Sequence, residues 1–88
     1  MKANDQLAKA ARTIQERGND YGAVEENWET AAQLWNACLR RKLKCDLSAA
    51  DVALLLILLK VSRLANSPDH LDSQLDICGY SALMCEVV

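Results

Sequence analysis

Proline occurs once in these 88 residues, glycine three times, and aromatic side chains make up only 5%. Strands draw on β-branched and aromatic residues, so this shortage argues against a β-rich fold. Histidine also occurs once, and the four cysteines (Cys38, Cys45, Cys78, Cys85) form two pairs seven apart with no C-x-x-C. That spacing suggests neither a zinc site nor a thioredoxin-type motif; it reads as reduced, half-buried thiols in a reducing cytosol. Long apolar runs are missing too. The longest, Val52 to Leu59, falls far short of the roughly 20 residues needed to cross a bilayer, and the amino terminus lacks a signal-peptide core. A cytoplasmic protein without a membrane partner is the expectation. The formal charge is −2, and the nearest approach to a basic cluster is "RRKLK" at 40–44. Duplex nucleic acid is not an expected partner.

What the chain does have is a hydrophobic fraction of 51%, carried mostly by alanine and leucine. This composition predicts an all-α fold in a single domain, 1–88, near the size at which a lone core is marginal and oligomerisation supplies further burial. Four helices are predicted. The first covers 4–17, with Leu7, Ala10, Ala11 and Ile14 at helical spacing and Gly18 placed to end it. "GNDYG" then concentrates turn formers. The second runs from about Val24 to Arg41, with Trp28, Ala31, Ala32, Leu34, Trp35, Cys38 and Leu39 as a broad apolar face. Ser48-Ala-Ala-Asp51 has the form of a capping box opening the third helix, which is apolar on every side from Val52 to Leu59. Such a helix needs protein all round it, so the helix at 48–65 is expected to join copies of the chain into a homo-oligomer. In "NSPD", Ser67 reads as a cap and Pro68 as the first residue of the fourth helix. Its apolar stripe is Leu71, Leu75, Cys78, Ala82 and Cys85, with Asp69, Asp72, Asp76 and Tyr80 on an adjoining face.

Two constellations carry candidate chemistry. Lys60 and Arg63 share a face of helix three, where they either pair with Asp69, Asp72 or Asp76 across the helix hairpin or receive a phosphate. The aspartates on one helix face need compensation, from those bases or from a divalent cation. Magnesium would require Glu25, Glu26 and Glu29 to converge with Asp72 and Asp76, and the two fixed positive charges nearby oppose it. Tyr21 in its glycine-flanked loop, Asn27, Trp28 and Tyr80 are further candidates, either packed against the bundle or contacting a ligand. Trp35 reads as core. His70, unaccompanied by a nucleophile, reads as exposed and capping-related, and no Ser-His-Asp or Cys-His arrangement is present.

The stretches from Arg17 to Trp28 (R-G-x-x-YG-x-x-x-x-NW), Asp51 to Arg63 (DVALL-x-x-LLK-x-x-R) and Asp72 to Leu83 (DS-x-x-DI-x-GY-x-AL) resemble a family of short phage and prophage proteins of unassigned function. More distantly, the chain is similar to phage nucleotide-modification-associated domains and to the MazG-like all-α NTP pyrophosphatases. The latter resemblance implies a MazG-like four-helix bundle in which an E-E-x-x-E helix faces an E-x-x-D helix and the acids hold magnesium on a triphosphate. Here Asp76 matches the aspartate, but Ser73 stands at the glutamate position. "EENWE" spells E-E-x-x-E at Glu25, Glu26 and Glu29, one helix earlier than the usual order.

The helix facing Asp76 carries Lys60 and Arg63 in the region of the acidic motif, and replacing metal ligands by cations keeps the attraction for an anion and removes the activator of water. The expected function is therefore a helical oligomer that binds a nucleotide or cyclic nucleotide without hydrolysis, withholding a host defence signal. In it Lys60 and Arg63 hold phosphate, Asp72 and Asp76 orient those two side chains or a ribose hydroxyl, Tyr21, Trp28 or Tyr80 packs against the base, and Asn27 is a further ligand-binding residue. No cofactor is expected. The alternatives are a magnesium-dependent NTP pyrophosphohydrolase using Glu25, Glu26, Glu29, Asp72 and Asp76, and a protein-interaction module whose charges are all structural.

Overall fold

A computed structural model describes residues 2–88, apart from the side chain of Tyr21. Four helices follow one another: α1 (Ala3–Tyr21), α2 (Val24–Cys38), α3 (Ala49–Asn66) and α4 (Leu71–Leu83), with a closing 3-10 turn at Met84–Glu86. No strand occurs among the described residues, so the fold is all-α. Side by side the order is α2, α3, α4, α1, with α1 and α2 touching only briefly. No helix among the described residues is long and apolar enough to cross a membrane.

The predicted capping box forms. The Asp51 N–H donates to Ser48 Oγ at 3.2 Å, and the Ser48 N–H donates back to Asp51 Oδ2 at 2.9 Å. Two otherwise unpaired donors at the start of α3 are thereby satisfied. Ser48→Ala is expected to lower stability by about 1 kcal/mol, read as a shift in urea midpoint at unchanged slope.

Three boundaries differ from expectation. α1 passes through Gly18 and stops at Gly22, whose φ of 80° places it where a side chain is strained. The Gly22 N–H donates to the Gly18 carbonyl at 3.0 Å. Gly18 is thus helical, at a cost of about 1 kcal/mol relative to alanine that the extra turn offsets. α2 ends at Cys38, leaving Arg40 and Arg41 in the turn beyond. There the Asn36 side chain clamps the returning chain, accepting from the Leu47 N–H at 2.7 Å and donating to the Leu47 carbonyl at 3.0 Å. α4 begins at Leu71, not Pro68. Ser67 closes α3, and His70 is the N-cap, its Nδ1 accepting from the Ser73 N–H at 3.3 Å. The capping role expected of His70 holds, and that of Ser67 is corrected: its N–H is used on the Arg63 carbonyl.

The core is thin. Trp28, Ala32, Ala49, Val52 and Ala53 form its buried centre, and Val24, Trp35, Leu56, Tyr80 and Leu83 pack around them. The predicted apolar faces are wider than the buried ones. Leu7, Leu34, Ala11 and Ala82 are exposed, as are Cys38, Cys45 and Cys85; only Cys78 is half-buried, and all four thiols are free.

Candidate functional site

A cleft of about 740 Å³ opens where α1 and α2 diverge. Its wall on one side is the last turns of α1, with Ile14, Arg17 and Gly18; on the other it is the start of α2, with Val24, Glu25, Asn27 and Trp28. Leu56, Tyr80 and Leu83 form the base, and Glu86 joins the rim. The Trp28 and Tyr80 rings meet edge to face, with centroids 6.2 Å apart and planes at 64°. This geometry sets the positive edge of one ring on the negative face of the other and fixes both orientations. A mostly apolar depression with a few polar groups on its margin is the usual form of a small-molecule site.

Arg17 is the cation of this cleft. Its side chain is half exposed, and Nη2 stands 3.5 Å from Asp76 Oδ1. The other carboxylate oxygen, Asp76 Oδ2, takes Lys60 Nζ at 2.9 Å. Lys60 and Asp76 are 14% and 12% exposed, so theirs is the tight, sheltered contact and Arg17 the loose, wet one. A smaller cavity beside Asp76 shares Ile14, Arg17, Tyr80 and Leu83 with the main cleft. Arg17 therefore stands between the sheltered carboxylate and the open space, and it can leave Asp76 without stranding a charge, because Lys60 remains.

The predicted site residues separate into two groups. Trp28, Asn27 and Tyr80 line the cleft, while Tyr21's side chain lies outside the described residues. Lys60 is bound to Asp76 and lines neither cavity. Arg63 and Asp72 are exposed, border neither cavity, and form no ion pair among the described residues; neither does Asp69. Pairing across the hairpin is thus realised once, between Lys60 and Asp76. Arg17 was visible in the sequence only as a motif position, since nothing local links it to Asp76.

Among the described residues no three His, Cys, Asp or Glu side chains stand together as a group able to hold a metal ion. Glu25, Glu26 and Glu29 are exposed, with Glu25 alone of the three on the cleft wall, Asp72 is exposed, and Asp76 is engaged by two cations. Ser73, at the position where the pyrophosphatases carry glutamate, is fully buried, with its Oγ 2.8 Å from His70 Nδ1. The donor set does not fit magnesium, which needs converging oxygens in near-octahedral order.

A family model described as "Domain of unknown function (DUF6378)" matches residues 5–88. The "Gene 55 protein" of Mycobacterium phage L5 is 38% identical over 69 residues, covering 78% of this chain and 42% of the phage protein. The "Gene 55 protein" of Mycobacterium phage D29 is 37% identical over 76 residues, covering 85% of this chain and 48% of its own. The chain therefore spans less than half the length of these relatives. No solved structure matches it. The resemblance to phage proteins of unassigned function is borne out, and the chain belongs to the DUF6378 family.

Proposed function

We propose that the chain binds a nucleotide-derived phosphoanion in the cleft and does not hydrolyse it. The observation that supports this reading is the exchangeable Arg17: a guanidinium on the cleft wall whose carboxylate partner keeps a second, closer cation. A phosphate entering the cleft takes the Arg17 fork in bidentate fashion, while Lys60 continues to neutralise Asp76. The base lies against Trp28 and Tyr80, and Glu25 and Asn27 on the margin meet its polar edge. Lys60 is then a positioning residue. A binder without turnover acts one to one, and in a phage the compound withheld would be a host nucleotide signal. The MazG-like bundle enters this reading as an ancestry of fold, with its metal-holding acids replaced.

Nucleoside mono-, di- and triphosphates and cyclic nucleotides, added in chelator, are expected to raise the melting temperature, with no product formed. Arg17→Ala should reduce the affinity about tenfold to a hundredfold, the loss of one charge-assisted pair of hydrogen bonds. Its own stability should stay within about 1 kcal/mol of the parent, because a half-exposed ion pair at 3.5 Å contributes little. Melting curves unmoved by every compound would refute the binder, and turnover that appears only with magnesium would favour the pyrophosphohydrolase.

A further inference from the structure

We propose that the outward face of α3 is covered by the same face of a second copy of this chain, in a two-fold seam. Leu54, Leu58, Val61 and Ala65 follow one another at steps of four, three and four, the spacing of a coiled-coil seam, with Leu55 and Leu59 on its flank. All six are exposed, Leu58 most of the large ones at 59%. The opposite side of the same helix, with Val52, Ala53 and Lys60, is the side that faces the bundle.

Three observations favour a second copy over another partner. First, the fold is short of burial: of the seven buried apolar residues among those described, four are alanines. A deficit in the fold itself calls for an occupant that is always present, and another copy meets that need. Second, the molecule is a slab, 44 × 31 × 20 Å, about two helix diameters thick. Its radius of gyration of 14.2 Å exceeds the roughly 12 Å of a self-sufficient domain of this length. Third, the stripe offers on the order of 500 Å² per copy, so an isologous pair reaches the ~1,000 Å² at which a specific interface is expected.

The polar groups on the face permit such closure. Ser62 donates its hydroxyl to the Leu59 carbonyl at 2.6 Å, and Asp51 is engaged in the capping box. Burying Ser62 therefore leaves no unpaired donor. None of the six stripe residues is charged; of the two bases of α3, Lys60 faces the bundle and Arg63 alone stands one turn beyond Leu59 at the flank, short of the row of bases that an anionic membrane surface calls for.

The seam is independent of the ligand reading, and its test separates the two. Light scattering after gel filtration, from micromolar concentration upward, should give an even-numbered assembly whose melting temperature rises with concentration. Leu58→Glu should halve the mass with helicity retained, and Arg17→Ala should leave the mass unchanged. If Leu58→Glu does not fold, Leu58→Ala should raise the dissociation constant roughly tenfold. A monomer at every concentration with a fixed melting temperature would overturn the proposal and leave the face to a different protein. Wild-type mass in Leu58→Glu, or unaltered dissociation in Leu58→Ala, would overturn it equally.

Discussion

Asp76→Asn is expected to destabilise the protein by about 3 kcal/mol, the cost of leaving one member of a sheltered ion pair without its partner. Asparagine keeps the shape of the side chain and its oxygen, so the loss is one of charge. Lys60 Nζ, 2.9 Å from the carboxylate and 14% exposed along its side chain, would retain a positive charge with little water to receive it. Arg17 is affected far less, since it is already half in solvent. For a domain of this length the thermal midpoint should fall on the order of 15 °C. Lys60→Met alone should cost less, because Asp76 then keeps Arg17. The double variant Lys60→Met/Asp76→Asn should recover most of the loss, since a neutral, packed replacement for an ion pair is often as stable as the pair. Urea denaturation of the four proteins closes this cycle. An Asp76→Asn midpoint that matches the parent would show that the pair does not hold α3 to α4.

The helix count and the entry to α3 were legible because their signals are local. Ser48 and Asp51 stand three apart, and their reciprocal bonds need nothing from elsewhere in the chain. Where two local signals competed, the sequence misled. Gly18 and Gly22 both suit a helix end, and only the backbone shows that Gly22 takes the positive φ. Ser67 and His70 both offer caps, and Pro68 drew the fourth helix three residues too early. The site was harder to read. Lys60 with Asp76 was among the foreseen pairings, since one turn joins their helices. Arg17 reaches the same carboxylate from α1, and no periodicity connects residues so far apart in the chain. The cleft likewise arises from the divergence of α1 and α2, a property of packing angles that spacing does not encode. The all-round apolar character of α3 was evident, but not that its surplus would lie on one outward face bearing Leu54, Leu58 and Val61.

Trp28→Ala should remove about 4 kcal/mol of stability, the largest loss expected of any single change. Trp28 is the bulkiest member of a buried centre otherwise made of alanine and one valine, so those centre residues are too small to fill the space it leaves, and the larger side chains packed around the centre, Tyr80 among them, lose their main contact. The edge-to-face contact with Tyr80 disappears as well, adding about 1 kcal/mol. Since small domains have only some 5–15 kcal/mol in hand, this variant should unfold broadly and with a reduced urea slope. Trp28→Phe should keep a sharp transition, losing a smaller part of that stability. The pair of variants separates the two duties of the residue, because the same ring fills the core and walls the cleft. If Trp28→Phe folds with a near-parental midpoint yet binds nucleotide several-fold more weakly, the indole contributes to the ligand directly. A Trp28→Ala protein that melts within a few degrees of the parent would instead place the core elsewhere, and with it the packing that holds the cleft wall in place.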